Sequence, residues 1–501
     1  MLSPIDRFLN KITMYRLVLC YLSALVGIAA IFGAIGWLPY NPIAIVFTAL
    51  FLIVLAWLVN GILAQIFKAH PNAESAYITA LILALIITPG MPTNLPFVAL
   101  LIWVVIFAMA SKYVLAIGKQ HVFNPAAIAV VITAFAMGQS ASWWIGGTLP
   151  MMAFVIAGGF LVVRKLQRFD LVFSFLGGAI ISDLVTHIGY HPLAVLQEAA
   201  LRTPIFFFAS IMITEPLTTP ATRPWRIEYG ALVGLLFSPA VHLAGIYSTP
   251  ELALVVGNLF SYMVSPRRKQ VLQLEKKTLI GDNIYNFSFA TEDGAPMKFA
   301  PGQYLEWTLG HARPDHRGNR RYFTIASSPT ERDVQLGVKF YEPSSSFKKA
   351  MLALKPGEAT IVAGSLAGDF TMPENPAQKL AFIAGGIGIT PFRSMVKYLI
   401  DKNERRDVVL LYSNRSAGEI AYREIFDEAE RKIGMRTIYV NTGMDGRITP
   451  ELIKEKIPDY RQRAFYVSGT RTMVTLFERI LHHELGVPRM HIKIDFFPGF
   501  K

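Results

Sequence analysis

An all-α polytopic membrane region, then an antiparallel β-barrel, then a Rossmann-like α/β region: three observations predict this order. Charge is unevenly distributed, with 15 Lys/Arg and 8 Asp/Glu over residues 1–269 against 33 and 27 over the remaining 232. Long apolar runs fill the first half. The second half opens with short strand-like segments and then alternates strand with helix. Boundaries fall at 1–266, 267–376 and 377–501.

Composition narrows the function classes. The 501 residues are 53% apolar and only 17% charged, with a mean hydropathy of +0.40. Soluble proteins carry about 25% charged residues, which excludes a disordered chain, a collagenous fibre and a simple soluble enzyme. The single cysteine, Cys20, excludes an internal disulfide, and a Cys-ligated zinc or iron–sulfur site built from this chain alone. Of the net charge of +13, the membrane half supplies +7, placed at helix ends. Lipid headgroups therefore fit as partners and nucleic acid does not.

In chain order, apolar runs occupy 15–38, 43–67, 78–87, 97–117, 122–137, 146–163, 171–185, 204–213, 227–246 and 251–264. A span needs about 20 residues, which most runs reach with their flanks, so ten spans are expected. The first run is too long for a signal peptide and lacks a cleavage site. With the N-terminus cytoplasmic, Arg7, Lys11, Arg16, Lys68, Lys112, Lys119, Arg164, Lys165, Arg168, Arg223, Arg226, Arg267, Arg268 and Lys269 fall inside and only Arg202 outside. That asymmetry predicts a multi-pass protein of the inner (cytoplasmic) membrane with both termini cytoplasmic.

Two runs are short and stop at proline: ITALILALIITPGMPT, through Thr88 and Pro89, and FFFASIMITEPLTTPAT, through Thr214, Glu215 and Pro216. They lie 126 residues apart, so a five-plus-five inverted repeat would place two broken helices near the midplane as a ligand site. Re-entrant or kinked helices with a packing role are the plainer alternative. Asp183 and Glu215 are the acids expected at membrane depth, where ionisable groups are functional candidates. His121, His187, His191 and His242 would be the haem ligands of a transmembrane oxidase, but no span carries two well-separated histidines.

The segments GKQHVFNPAAIAVV (118–131), ITEPLTTPAT and ELALVVGNLFSYMVSP resemble the D subunit of the Rnf electron-transport complex and the B subunit of the sodium-translocating NADH:quinone reductase. The resemblance covers about residues 15–266 and implies a ten-helix, flavin-carrying electron-transfer unit. Asn124, in the first segment, joins Asp183, Thr214 and Glu215 as a candidate membrane-site residue. The family's flavinylated threonine lies in a Ser-Gly-Ala-Thr-like loop between spans five and six. Here that loop is GQSASWWIGGT (138–148), which favours a noncovalent FMN or riboflavin over a covalent one.

After SPRRK come LQLEKKTLI, IYNFSFAT, QYLEWTLG, RYFTIASS and VQLGVKFYE, separated by breaks such as GDN, DGAP and PGQ. Short strands with such turns predict a small antiparallel barrel. From Lys379 the pattern is LAFIAGGIGITP, a helix through 395–399, DVVLLYSNRS, a helix at 422–431, TIYVNT, a helix near 450–456 and AFYVSGT. Alternation of that kind predicts a doubly wound parallel sheet.

Arg321-Tyr322-Phe323-Thr324 offers a guanidinium for phosphate, an aromatic ring for a flat ligand and a hydroxyl for a ring nitrogen. Such alternation is also what any strand shows. Ser344, Ser345 and Ser346 open a helix whose amides suit a pyrophosphate, or simply cap it. Gly385, Gly386 and Gly388, with Thr390 and Pro391, follow an apolar strand and begin a helix, a stronger phosphate-binding signal. Ser468, Gly469 and Thr470 end a later strand of the same sheet and reach the same crevice.

In order and spacing, RYFTIASSP, EPSSSF, GDFTMP, GGIGITP, LLYSNRS, YVSGTRTMV and DFFPGF resemble the ferredoxin–NADP reductase superfamily over about residues 270–501. The resemblance implies FAD in the barrel and NADH or NADPH in the parallel-sheet lobe. It assigns FAD phosphate to Arg321, ring packing to Phe323, the N5 edge to Thr324 and pyrophosphate to Ser346 and its neighbours. The dinucleotide goes to Gly385, Gly386, Gly388 and Thr390. Phe323 stands where the family often has Tyr, and Ser468 where many members have Cys beside the nicotinamide. Arg415 and Ser416 lie where a 2′-phosphate would sit, and Phe496, Phe497 and Phe500 would cover the flavin or plug the core.

The combined expectation is a membrane-bound NAD(P)H-oxidising flavoprotein, with Thr324, Ser468 and Phe500 nearest the hydride path and no metal. Electrons pass through FAD into the membrane, to a quinone, a membrane flavin or an acceptor beyond it, with partner electron-transfer subunits. A haem-containing ferric reductase or NADPH oxidase-like enzyme, and an ion transporter with a redox-sensing reductase lobe, stay open as alternatives.

Overall fold

The computed structural model describes residues 4–9, 11–67, 73–118, 120–243, 245–265, 269–291, 294, 296–311, 313–315, 317–357 and 360–495. Lys68, Lys119, Arg267, Arg268, Phe496, Phe497 and Phe500 lie outside them. The chain divides into two compact units, residues 8–268 with 500–501 and residues 269–499 with 1–7.

After α1 (Pro4–Leu9), the helical unit runs α2 (Met14–Ala34), α3 (Pro42–Ile66), α4 (Ala73–Ile86) and α5 (Leu95–Val114). A tiny hairpin of β1 (Ala116–Ile117) and β2 (Gln120–His121) leads into α6 (Pro125–Met137). Then come α7 (Leu149–Leu166), α8 (Phe169–Thr186), α9 (Pro192–Arg202), α10 (Ile205–Phe207) with a π-turn over Phe208–Met212, and α11 (Arg223–Leu235). A second hairpin, β3 (His242–Leu243) with β4 (Ile246–Tyr247), leads into α12 (Pro250–Val264).

The expected ten spans need correction. Among the described residues five helices are long and apolar enough to cross a membrane (α2, α3, α5, α7 and α8). They become six if α9 and Ile205–Met212, bent by 66°, count as one. The apolar helices α4, α6 and α12 have only 14, 13 and 15 residues. At 1.5 Å per residue they rise about 20 Å, short of a hydrocarbon core of about 30 Å. The flanks do not extend α6 or α12 toward span length, because Asn124-Pro125 and Thr249-Pro250 start these helices, capped by the Asn or Thr side chain.

Close backbone approach welds α8 to α11. A Cβ on Gly234 would lie 2.2 Å from the Phe175 carbonyl, and one on Gly178 2.5 Å from that of Ala231. Such small-residue faces suit helices without a hydrophobic driving force between them. Arg226 of α11 then pairs with Asp170 of α8 at 3.1 Å, their side chains 9% and 8% exposed.

In the second unit, β5 (Gln270–Gly281), β6 (Ile284–Thr291), β7 (Tyr304–Thr308), β8 (Arg320–Thr324), β9 (Val334–Lys339) and β10 (Thr360–Ala367) form one antiparallel sheet in the order β8-β7-β10-β5-β6-β9. Its core holds Phe287, Phe289 and Trp307, closed by Phe347 and Met351 of α13 (Ser346–Ala353). The remaining elements are β11 (Leu380–Gly385), α14 (Thr390–Asp401), β12 (Val408–Asn414), α15 (Arg423–Ile433), β13 (Arg436–Asn441), α16 (Pro450–Lys456), β14 (Ala464–Ser468), α17 (Arg471–Arg479) and β15 (Ile492–Ile494). They make a parallel sheet ordered β13-β12-β11-β14-β15. The winding reverses between β11 and β14, so a ligand crevice opens at their carboxyl ends.

Candidate functional site

The glycine turn sits at that reversal. Ala384 of β11 pairs with Ser468 of β14, and the two turns beyond them touch through their backbones. A Cβ on Gly388 would lie 2.6 Å from the Gly469 Cα, and one on Gly385 2.1 Å from the Met473 sulfur. These glycines let two strand ends close on each other. Gly386 differs, with φ +54° and open space where a Cβ would project, so it is the position that lets a ligand approach the main chain. The Thr390 hydroxyl donates to the Ile387 carbonyl at 3.2 Å, and Pro391 occupies the first turn of α14.

Asp495 escaped sequence reasoning. It accepts a hydrogen bond from the Ser468 hydroxyl at 2.8 Å. Burial pushes its carboxyl up to about 7, with Ser468 opposing. Arg415 and Ser416 follow β12, where the Arg415 amide donates weakly to Glu419 at 3.4 Å, while Glu419 pairs with Lys339 at 2.7 Å. The last turn before α17 is capped by Thr470, whose hydroxyl accepts from the Met473 amide.

On the barrel, alternation along β8 divides the four candidates. Arg321 and Phe323 face α13, the guanidinium 5.1 Å over the Phe347 ring and the Phe323 ring 6.1 Å from it. Tyr322 faces the other way, its hydroxyl donating to Glu306 at 2.7 Å. Thr324 is buried where β8 ends, opposite Tyr304. Ser345 caps α13 by accepting from the Lys348 amide, Ser346 is its first residue, and Ser344 lies half-buried just before.

The Ser346 end of α13 is engaged by a carboxylate. Asp315 accepts from the Ser346 amide at 3.0 Å and from Arg317 at 2.7 Å, and its own amide donates to the Ser346 hydroxyl at 2.9 Å. Arg321 Nη2, buried and without a hydrogen-bond partner, lies 3.7 Å from the same carboxylate. Burial would raise the Asp315 carboxyl, but Arg317 and the amides of Ser346 and Arg317 outweigh it and hold it well below the usual range. Lys348 drops to about 8 through burial and the nearby Arg321 and Arg317. Two guanidinium groups, Arg317 and Arg321, thus face the one Asp315 carboxylate, while Lys348 Nζ donates to the Lys339 carbonyl at 2.6 Å.

Arg393, also unforeseen, joins the lobes. It pairs with Glu331 and donates to the Ala326 carbonyl at 3.1 Å, two residues beyond Thr324. Beside it Ser394 donates to the Ser327 carbonyl at 2.6 Å, and Tyr422 to Asn286 at 2.8 Å. Gly337 leaves room for this seam, since a Cβ there would meet the Tyr422 hydroxyl at 2.5 Å. The end of β8 and the helix following the glycine turn are thus held together.

In the helical unit, Glu215 accepts from Asn124 Nδ2 at 2.8 Å and from Thr218 at 3.2 Å, with His121 Nε2 3.6 Å away. Asn258 receives the Asn124 amide at 2.8 Å and donates to Tyr229 at 3.1 Å. Thr214 instead bonds back to the Ser210 carbonyl at 2.7 Å, and Asp183 lies half-buried in the last turn of α8. The cluster therefore gathers Asn124 and Glu215 but leaves Thr214 and Asp183 apart. A more deeply buried acid, Glu251, went unsingled: it is 1% exposed and accepts from Trp143 Nε1 at 2.9 Å. His121 lies in β2, His187 and His191 cap helices and His242 lies in β3, so none of the four is inside a helix.

Residues 271–371 match the oxidoreductase FAD-binding domain and residues 382–479 the oxidoreductase NAD-binding domain. The chain is 23% identical over 236 residues to flavohemoprotein A of Dictyostelium discoideum, covering 45% of this chain and 59% of that protein. It is 26% identical over 205 residues to an NADPH oxidoreductase of Mycobacterium tuberculosis, covering 40% and 53%. To NADH-cytochrome b5 reductase 1 of Ajellomyces capsulatus it is 27% identical over 234 residues, covering 44% and 74%. The crystal structure of the Amycolatopsis cytochrome P450 reductase GcoB aligns with a TM-score of 0.41 at 19% identity, over 46% of this chain and 70% of that one. The chain thus spans 59% and 53% of the first two relatives' lengths.

Proposed function

We propose, from the premise that the second unit carries an NAD(P)H-dependent FAD oxidoreductase module of ferredoxin reductase type, that the whole chain moves electrons from NAD(P)H into the membrane. One observation carries this reading. A cation-rich helix start on the barrel and a glycine turn at a sheet reversal belong to one clamped module, in the same chain as five membrane-length helices.

The fit to FAD rests on the Arg321 nitrogen without a hydrogen-bond partner and on the cationic surplus around Asp315. Arg321, with Ser346 and its neighbours, would hold the pyrophosphate, and Phe323 would pack on the ring. Gly386 and the start of α14 would take the dinucleotide phosphates, with Ser468 and Gly469 beside the nicotinamide. When bound, FAD supplies the ring that accepts hydride and passes on electrons singly or in pairs. The protein contributes alignment: the Arg393 clamp fixes Thr324 relative to the glycine turn, and no acid–base residue is needed. Arg415 and Ser416 favour a 2′-phosphate, hence NADPH. Downstream, the Glu215 cluster is the favoured place for a noncovalent flavin or a quinone, in keeping with the Rnf-like resemblance.

Anaerobic titration of the purified chain tests this. NADH or NADPH should bleach the bound FAD, and a long-chain quinone confined to the bilayer of proteoliposomes should restore its colour. Bleaching without acceptor-dependent recovery would leave the reductase module but sink the membrane route.

A further inference from the structure

Between β7 and β8 the chain turns through Arg313 and Gly318, both at positive φ (51° and 66°), and between those turns it delivers Asp315 to the first residue of α13. A non-glycine residue at positive φ costs about 1 kcal/mol and persists only where contacts enforce it. The contacts here are those of Asp315. Its carboxylate accepts from the Ser346 amide and pairs with both Arg317 and Arg321, and its amide donates to the Ser346 hydroxyl. From the same loop His311 Nε2 meets the Ser346 hydroxyl at 3.0 Å.

We infer that Asp315 is a specificity-determining residue that holds the anion cradle shut against simple phosphates and yields only to a pyrophosphate delivered with a flavin ring. The inference rests on reading the barrel as an FAD site and adds to it what that site refuses. A free phosphate must displace a carboxylate already bonded to an amide and flanked by two guanidinium groups, and brings little else in exchange. A dinucleotide flavin brings ring contacts as well, and its pyrophosphate better matches a cradle of two guanidinium groups, Arg317 and Arg321, beside a helix start. The exit is open, since the Asp315 side chain is 23% exposed and that of Arg317 24%.

The test uses the full-length, detergent-purified chain stripped of flavin, as wild type, Asp315→Asn and Asp315→Glu. Binding is read by fluorescence quenching of FAD and of riboflavin, with inorganic pyrophosphate as competitor. Asp315→Asn should bind FAD about tenfold more tightly, because the closed state no longer subtracts from affinity. Millimolar pyrophosphate should compete with FAD in Asp315→Asn and not in wild type. Riboflavin, lacking phosphate, should bind all three proteins alike, and Asp315→Glu should resemble wild type, which separates loss of charge from loss of fold. Unchanged or weaker FAD binding by Asp315→Asn, with no competition by pyrophosphate, would overturn the inference. If no protein takes up FAD, the cofactor reading itself fails, and the gate with it.

Discussion

The two interrupted helices of the helical unit solve one problem in opposite ways. Where α4 stops at Ile86, the connection before α7 folds in and supplies the missing donors. The amides of Ser142 and Trp143 both reach the Ile86 carbonyl at 2.9 Å, the Ile145 amide reaches Leu85 at 3.3 Å, and the Trp144 indole reaches Ala84 at 3.0 Å. Both indoles and Ile145 are buried. Where the chain leaves the π-turn at Met212, side chains do the work instead. Gln120 donates to the Leu217 carbonyl at 3.1 Å, Asn258 reaches Thr218, and Glu215 stays partly accessible among Asn124, Thr218 and His121. Gln120 Oε1, in a residue only 3% exposed, has no hydrogen-bond partner and borders a small pocket with His121, Asn258 and Ser261. Backbone groups freed at membrane depth must find partners in protein, water or ligand. Backbone amides and the Trp144 indole satisfy the first break, whereas side-chain amides and a partly accessible carboxylate line the second.

The sharpest way to break this comparison is to open the sealed side. Trp144→Ala should lower stability by about 3–5 kcal/mol, through lost volume and an orphaned Ala84 carbonyl, read as a drop in the unfolding midpoint in detergent. Trp144→Phe should recover most of the volume and less of the loss. A small effect of Trp144→Ala would mean the first break is not sealed by this loop.

A carboxyl in the second unit extends the contrast between sealed and accessible polar groups. Asp495 has its native pKa raised to about 7, so the folded protein keeps a proton that the unfolded chain has released. Stability should therefore fall as pH rises from about 4 to 7 and stay low above that. Asp495→Asn should flatten this dependence and gain about 2 kcal/mol at pH 8, measured by denaturant unfolding across the pH range.

Glu215→Gln addresses the open break. Gln keeps an acceptor for Asn124, so the fold should survive, and NAD(P)H should still bleach FAD at the wild-type rate. Quinone reduction should slow about tenfold, a barrier change of ~1.4 kcal/mol. Equal loss at both steps would remove the second break from the electron path. The smallest effect is expected for Gln120→Leu, within about 1 kcal/mol of wild type in stability, because the lost bond to Leu217 is offset by removing a buried acceptor without a partner.

Local patterns were legible from composition and spacing; partnerships across distance were not. The strand–helix alternation after Lys379 and the glycine turn read directly, although α14, expected over 395–399, runs Thr390–Asp401 because Pro391 starts it immediately after the turn. Hydropathy overcounted spans because it cannot see that Pro125 and Pro250 open helices of 13 and 15 residues behind short hairpins. Arg321 and Ser346 were visible as an anion pair, but not Asp315, which reaches them through a loop with no regular pattern. Arg393 and Glu331 lie 62 residues apart, and Glu251 and Trp143 lie 108 apart. No periodicity announces a contact of that range, and Glu251 passes for the ordinary acidic first turn of a helix.

The seam built by Arg393, Ser394 and Tyr422 has a kinetic corollary. Arg393 and Ser394 anchor two and three residues beyond Thr324, and Tyr422 anchors on Asn286 of β6, so the pair cannot swing apart like a jaw without tearing these bonds. Nucleotide must come and go by rearrangement of loops at the crevice mouth, on the nanosecond-to-microsecond scale of such segments and not the slower scale of whole-domain opening. Release of the nucleotide would then be limited by those loops and not by the two lobes parting.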